Sequence, residues 1–82
     1  MVMYEAGMLA RSKAGHDKAQ MYIIKEVDDT YVYLGDGRIR TLGHPKKKKK
    51  KHVQIVHGIY NMKELDDAGI RKLIKDWMKE EK

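Results

Sequence analysis

Cysteine and phenylalanine are absent from this chain of 82 residues, which contains one proline and one tryptophan. Without cysteine, neither a disulfide nor a thiolate metal site can form, as is usual in a reducing cytoplasm. No apolar stretch approaches the roughly 18 residues of a membrane span, and the first residues carry Glu5 but no basic segment typical of a signal peptide. We therefore expect a soluble, cytoplasmic protein stabilised by packing alone.

Catalytic and metal-binding patterns are also lacking. Apart from tyrosine, the hydroxyl side chains are Ser12, Thr30 and Thr41, and no general base follows any of them at a recognisable spacing. A single small domain, which buries only about 60% of its unfolded surface, leaves little room for a deep pocket. His52 and His57 are five residues apart, which places them on opposite faces of an extended strand. We predict a protein that is not an enzyme and that needs no metal or cofactor.

The most distinctive feature that is present is a run of six lysines, Lys46 to Lys51. The chain has 18 Lys and Arg against 12 Asp and Glu, so this run equals the whole net charge of +6. Such a run repels itself and resists burial, so it either contacts a polyanion or remains a solvated loop. Extended, it reaches roughly 20 Å, enough to follow several phosphates. No apolar anchor accompanies it, which disfavours a membrane partner.

Residues 8–56 contain short apolar groups separated by turn signals, the pattern of short strands. We predict strands near residues 8–12, 21–27, 31–34, 38–42 and 52–56. Asp28-Asp29 is predicted to join the second and third strands, and Gly35-Asp36-Gly37 to form an Asp-Gly hairpin before the fourth. Five short strands favour closure into a small barrel. The second strand begins apolar on both sides, so its register stays open and a bulge would fit.

Residue alternation predicts which side chains point outward. In the predicted fourth strand, Ile39 alternates with Arg38 and Arg40, so the arginines would share a basic outer face. Pro45 cannot donate to a sheet ladder, so the lysines should start in a loop or on an exposed edge. We assign a lysine-rich loop to residues 44–52. Any of the five tyrosines could stack on unpaired bases; of Tyr31 and Tyr33, which share one strand face, we expect one to be exposed.

The C-terminal segment changes to helical periodicity. Its apolar residues fall at i, i+3, i+4, i+7 and i+8: Ile70, Leu73, Ile74, Trp77 and Met78. Asp66 is a suitable N-cap, Asp67 suits the positive end of the helix dipole, and Leu65 is placed to pack against Ile70. We predict a helix over residues 67–80, with Trp77 in the core. The domain limits would be a barrel at 1–57, a linker at 58–65 that lets the helix fold back or swing free, and a helical segment at 66–82.

Three segments resemble one protein family. Arg11-Ser12-Lys13-Ala14-Gly15-His16-Asp17-Lys18, followed by an apolar strand ending at Val27, looks like a KOW motif, which pairs two strands around a glycine loop in an SH3-like barrel. Gly37-Arg38-Ile39-Arg40-Thr41-Leu42, Pro45-Lys46-Lys47-Lys48 and Lys51-His52-Val53 are similar to a group of small bacterial RNA-binding KOW proteins that resemble archaeal and eukaryotic large-subunit ribosomal proteins. The tail with Ile70-Arg71-Lys72 also resembles that group. The resemblance covers roughly residues 7–77, and Ala19 stands where the family usually has a second glycine.

The resemblance implies a mainly β, five-stranded SH3-like barrel with a C-terminal amphipathic helix that binds structured RNA, such as ribosomal RNA or another RNA of the translation machinery. Binding would be mainly to phosphates, with shape rather than base edges giving specificity. The expected RNA-binding residues are Arg11, Lys13, Gly15, His16, Lys18, Arg38, Arg40, Lys46, Lys47, Lys48, Lys49, Lys50, Lys51 and His52. We expect a monomer when free. The alternative is a protein-interaction module in which the barrel and the Trp77-bearing helix bind a partner.

Overall fold

Five strands and one long helix make up the computed structural model, which describes residues 3–13 and 20–80. The strands are β1 (Leu9–Ser12), β2 (Met21–Val27), β3 (Tyr31–Gly35), β4 (Lys46–Lys49) and β5 (Val53–His57). They pair antiparallel in the order β4-β3-β2-β1-β5. A 3₁₀ turn (Lys50–His52) joins β4 to β5, and a second (Met62–Glu64) precedes helix α1 (Asp67–Glu80).

The predicted fold class is confirmed as a mainly β, small barrel-like fold with a single C-terminal helix. The strands predicted near 8–12, 21–27, 31–34 and 52–56 agree with β1, β2, β3 and β5 to within a residue or two. The helix has the predicted bounds, and Asp66 caps it by accepting a hydrogen bond from the amide of Gly69 at 2.8 Å. Membership of the KOW family stays a prediction.

The strand predicted at residues 38–42 is wrong, and so is the Asp-Gly hairpin before it. The chain bends here instead, because Asp36 Oδ1 accepts hydrogen bonds from the amides of Arg38 (2.8 Å) and Arg40 (2.9 Å) and closes a tight loop. Gly37 does adopt a positive φ of 76°, but it lies against the first turn of α1. Ile39, expected to point inward, is 83% exposed.

The first four residues of the lysine run form the fourth strand. Lys46–Lys49 pairs with β3 at the end of the sheet order, so the prediction of an exposed edge is confirmed and the prediction of a loop over this segment is wrong. Lysine disfavours strands only mildly, and β3 offers an unpaired edge for the run to join. Like charges along an edge also discourage pairing with another chain. Only the segment after Lys49 leaves the strand conformation, in the 3₁₀ turn.

Two apolar clusters lie on opposite faces of the sheet. The barrel interior contains Ala10, Tyr22, Ile24, Val32, Leu34 and Val53. The outer cluster packs Leu9, Met21 and Ile23 against Ile70 and Ile74 of α1. This explains why β2 begins apolar on both sides. The bulge considered for this strand is present between Ile24 and Glu26, where its pairing with β3 shifts.

The linker returns the helix to the sheet. The amide of Tyr60 donates a hydrogen bond to the carbonyl of Gly7 at 2.8 Å, and Leu65 and Trp77 pack against the outer cluster. Of the two arrangements left open by the sequence, the helix folded back onto the barrel is the one observed. Trp77, predicted to lie in the core, is half-buried and packs against the edge of the outer cluster.

Candidate nucleic-acid interface

The lysines of β4 alternate between the two faces of the sheet. Lys46 and Lys48 lie opposite Leu34 and Val32 of β3, whose side chains fill the barrel, so these two lysines share the inner face. Lys47 and Lys49 lie opposite the half-buried Tyr33 and Tyr31. The burial of the strand agrees, since Lys47 and Lys49 are exposed while Lys46 and Lys48 are half-buried. The run is therefore not one uniform charged surface.

The inner lysines contact the rest of the barrel. Lys48 Nζ donates a hydrogen bond to Ser12 Oγ at 2.8 Å, and Ser12 is only 2% exposed. Lys46 Nζ lies 5.8 Å from the centroid of the Tyr22 ring, within the range of a cation–π interaction. These contacts reach from β4 to β1 and β2, which are not its partners in the sheet. Lys46 and Lys48 therefore help to close the barrel.

Three carboxylates lie near the outer face of β4: Asp28, Glu26 opposite Tyr33, and Asp29 beside Lys49. Lys47 Nζ lies 4.2 Å from the centroid of the Tyr31 ring. Asp28 Oδ1 accepts hydrogen bonds from the amides of Tyr31 (2.6 Å) and Thr30 (2.9 Å), and its Oδ2 accepts one from the Tyr33 hydroxyl (2.9 Å). These hydrogen bonds, the amide of Tyr31 foremost, lower the pKa of Asp28, and the charge of Lys47 acts in the same direction. Donation to Asp28 raises the pKa of the Tyr33 hydroxyl. Asp28 is therefore ionised at neutral pH and partly offsets Lys47.

The 3₁₀ turn brings further cations to the far end of β4. The amide of Lys50 donates to the carbonyl of Thr30 at 2.9 Å, and the amide of Lys13 donates to the carbonyl of His52 at 2.9 Å. The turn is thereby fixed between the β2–β3 turn and the end of β1. Asp29 and Thr30 line an open cleft of about 350 Å³ with Lys49, Lys50 and Lys51.

Tyr4 lies beside this end of the barrel. Its hydroxyl donates a hydrogen bond to the carbonyl of Lys50 at 3.0 Å, and its ring centroid is 5.9 Å from Lys50 Nζ. Tyr4 and Lys13 also line a second open cleft, of about 400 Å³. We use the name lysine edge for the basic residues that this geometry joins into one surface: Lys13, Lys47, Lys49, Lys50, Lys51 and His52.

Three other predicted RNA-binding residues, Arg11, Arg38 and Arg40, lie away from the lysine edge. Arg11 alternates with Ser12 on β1, so its half-buried side chain is on the outer face of the sheet. Arg38 and Arg40 are exposed on the loop that packs on α1. Gly15, His16 and Lys18 lie outside the described residues. The structure thus divides the described part of the predicted site into the lysine edge, two inner lysines, Arg11 on the outer face of β1, and a separate loop of residues 36–42, named the arginine loop.

Sequence reasoning did not identify Tyr4 or Asp28 as part of this surface. Tyr4 was one of five tyrosines considered for stacking, and its contacts with Lys50 and its place beside Lys13 are visible only in the structure. Asp28 was correctly placed in the β2–β3 turn, where its amide donates to the carbonyl of Tyr31 at 3.0 Å. Its proximity to Lys47 depends on the pairing of β3 with β4, which no local signal predicts.

Comparisons with known proteins leave the family open. No protein-family model matches the chain, and the search of curated proteins gave no significant match. Within residues 3–13 and 20–80, no group of three or more His, Asp or Glu side chains is arranged to bind a metal ion. No helix in that part of the chain is long and apolar enough to cross a bilayer. The resemblance to KOW proteins therefore depends on the motif residues alone.

Proposed function

We propose that this protein binds RNA through phosphate contacts made by the lysine edge. The observation that carries the proposal is the outward orientation of Lys47 and Lys49 on an exposed edge strand, continued by Lys51 in the next turn. Alternate residues of a strand are about 6.6 Å apart, so each ammonium group can reach a different phosphate. A row of cations along one surface is the electrostatic footprint of a nucleic-acid-binding protein.

The surroundings of the lysine edge favour RNA over a purely anionic protein surface. The half-buried ring of Tyr4 lines an open cleft with Lys13, and its centroid is 5.9 Å from Lys50 Nζ. Proteins that bind single-stranded segments combine such a ring, on which a base can stack, with cations that follow the backbone. The KOW-like motif supports the same class of ligand. It also supports ribosomal RNA, or another RNA of the translation machinery, as the target.

Contacts in the structure disfavour the alternative in which the helix docks into a partner. Ile70 and Ile74 are buried against the sheet, and Leu73 and Trp77 pack on the same cluster. Apart from Met78, which is 41% exposed, the apolar stripe that such a partner would bind is therefore already covered by the barrel. If α1 left the sheet to bind a partner, Leu9, Met21 and Ile23 would become exposed to water.

The proposal is tested by titrating the full chain against ribosomal subunits, and against an unrelated structured RNA of equal length, over a series of salt concentrations. Binding to subunits that persists at physiological salt while the unrelated RNA dissociates supports a dedicated ribosomal partner. The slope of log K against log salt, about 0.7 to 0.9 per phosphate, counts the contacts. Equal affinities that fall together with salt would mean a nonspecific polycation, and no binding to either RNA would refute the proposal.

A further inference from the structure

A second basic surface, separate from the lysine edge, lies between the arginine loop and α1. The loop is tied to the helix, because Arg71 donates a hydrogen bond from Nη1 to the carbonyl of Gly37 at 2.5 Å and the amide of Leu42 donates to Asp67 Oδ1 at 2.8 Å. A cleft of about 460 Å³ lies between them. That volume is within the ordinary range for ligand-binding clefts, roughly 300 to 1,000 Å³.

The walls of this cleft combine positive charge with exposed apolar groups. Arg71, Lys75 and Met78 are spaced i, i+4 and i+7, so they follow one flank of the helix, and Arg38 and Ile39 face them from the loop. Ile39 is 83% exposed and Met78 41% exposed. Neither residue contributes to the packing clusters of the fold. Apolar side chains exposed beside each other and surrounded by charge are typical of a binding surface.

The charges of the residues that line the cleft indicate which kind of ligand it can bind. Among the described residues, three cations border the cleft against one carboxylate, that of Asp36, and Asp36 Oδ1 accepts hydrogen bonds from the amides of Arg38 and Arg40. An anionic ligand is therefore favoured. The described residues that line the cleft include no aromatic ring on which a base could stack. Two aliphatic side chains instead suit an aliphatic group of the ligand, and methionine adapts readily to such contacts.

We propose that this cleft binds an acidic segment of a partner protein. An aliphatic side chain of that segment would lie between Ile39 and Met78, and flanking carboxylates would pair with Arg38 and Lys75. None of the lysine-edge residues lines the cleft, so the two surfaces can be occupied together. The inference is independent of RNA binding. It uses Met78, the exposed end of the apolar stripe of α1, together with Arg71 and Lys75 on the same flank.

The test is an NMR titration of the ¹⁵N-labelled full chain with a synthetic peptide that has one leucine flanked on each side by two glutamates. A second peptide has serine in place of the leucine and the same charge. The amides of residues 37–40 and 71–78 should shift with the leucine peptide, and the serine peptide should bind several-fold more weakly. Arg38→Glu combined with Lys75→Glu should weaken binding by about tenfold or more, since it reverses two charge contacts.

Two single variants make the result specific. Ile39→Ser, at an exposed loop position, should reduce binding of the leucine peptide and leave the serine peptide unaffected. Lys72→Glu reverses a charge on the helix outside the cleft and should change the affinity less than twofold. The proposal is overturned if the two peptides bind equally, if the shifts fall on the lysine edge, or if Lys72→Glu is as damaging as the double variant. Displacement of the peptide from the cleft by a single-stranded RNA oligonucleotide would assign the cleft to RNA instead.

Discussion

The ammonium group of Lys48 donates a 2.8 Å hydrogen bond to the hydroxyl of Ser12, linking β4 to β1 across the barrel interior. These strands are separated by two others in the sheet, so the contact joins distant parts of it. Lys49, the next residue, faces solvent on the other side of the strand. Adjacent residues of one lysine run thus have different roles: Lys48 stabilises the fold, and Lys49 exposes a positive charge to solvent.

Replacing Lys48 by alanine should destabilise the fold. Ser12 is 2% exposed and would lose this hydrogen-bond partner, a loss worth about 1 to 2 kcal/mol in the free energy of unfolding. Urea denaturation measures the change. Lys49→Ala is the matched control and should remain within about 0.5 kcal/mol of the wild type, as usual for exposed positions. Equal losses in the two variants would contradict the assigned orientation of β4.

The packing of the helix on the sheet predicts that two isoleucine-to-alanine variants differ in their free energy of unfolding. Ile70 is fully buried against β1 and β2, so Ile70→Ala should cost about 2 to 5 kcal/mol in the free energy of unfolding. Ile39→Ala removes the same atoms from an exposed position and should cost less than about 0.5 kcal/mol. Thermal and urea unfolding of both variants provide the comparison. A small effect of Ile70→Ala would mean that the helix does not pack on the barrel in solution.

Gly7 should not tolerate a side chain. Its φ is 97°, and a Cβ at this position would lie 2.1 Å from the carbonyl oxygen of Tyr60. Gly7→Ala should therefore lower the free energy of unfolding by more than about 1 kcal/mol, since it adds a clash to the unfavourable φ. Gly58→Ala is the control, because a Cβ there would meet no atom within 4 Å. If Gly7→Ala proved as stable as Gly58→Ala, the docking of the linker would be wrong.

Asp28 should contribute to the acid dependence of stability. Its pKa is below the ordinary value of 3.8, chiefly because the amides of Tyr31 and Thr30 donate to it. A carboxyl with a lowered folded pKa adds stability above its unfolded pKa, and this is lost as the pH falls through the folded pKa. Between neutral pH and about pH 3, Asp28→Asn should therefore lose less stability than the wild type. Urea unfolding at both pH values measures the difference.

Asp29→Asn is the matched control for that experiment, because it removes the same charge one residue away without the two amide hydrogen bonds. It should retain the acid dependence of the wild type. An NMR titration of the Asp28 carboxyl checks the cause directly. A midpoint at or above 3.8 would contradict the hydrogen-bonded turn.

The helix could be predicted almost residue by residue because its signals are local. Asp66 caps the helix by accepting a hydrogen bond from the amide of Gly69, three residues later. Ile70 and Ile74 lie one turn apart on the face that packs on the sheet. The fourth strand could not be predicted in the same way. Arg38, Ile39 and Arg40 alternate as a strand would, but Asp36 hydrogen bonds close a loop there and the helix holds it in place. The conformation of residues 38–42 therefore depends on contacts with α1, which is distant in sequence.

For the candidate site, the sequence indicated the chemistry but not the geometry. The lysine run was identifiable at once, whereas the inward orientation of Lys48 depends on its register opposite Val32. That register is set by the pairing of β3 with β4, a contact between segments separated by the whole arginine loop. The separation of Arg38 from the lysine edge has the same origin, since the loop packs on α1.

The most direct test of the central claim is the salt dependence of RNA binding after replacement of Lys47, Lys49 and Lys51 by glutamine. We expect the affinity at physiological salt to fall by about tenfold or more and the log-log salt slope to decrease by about 2 to 3, because three phosphate contacts are lost. Lys63, Lys72 and Lys79, replaced by glutamine together, remove the same charge from exposed positions outside the lysine edge and should leave the slope nearly unchanged. Equal losses in the two triple variants would show that net charge, not the lysine edge, governs binding, and would contradict the proposal.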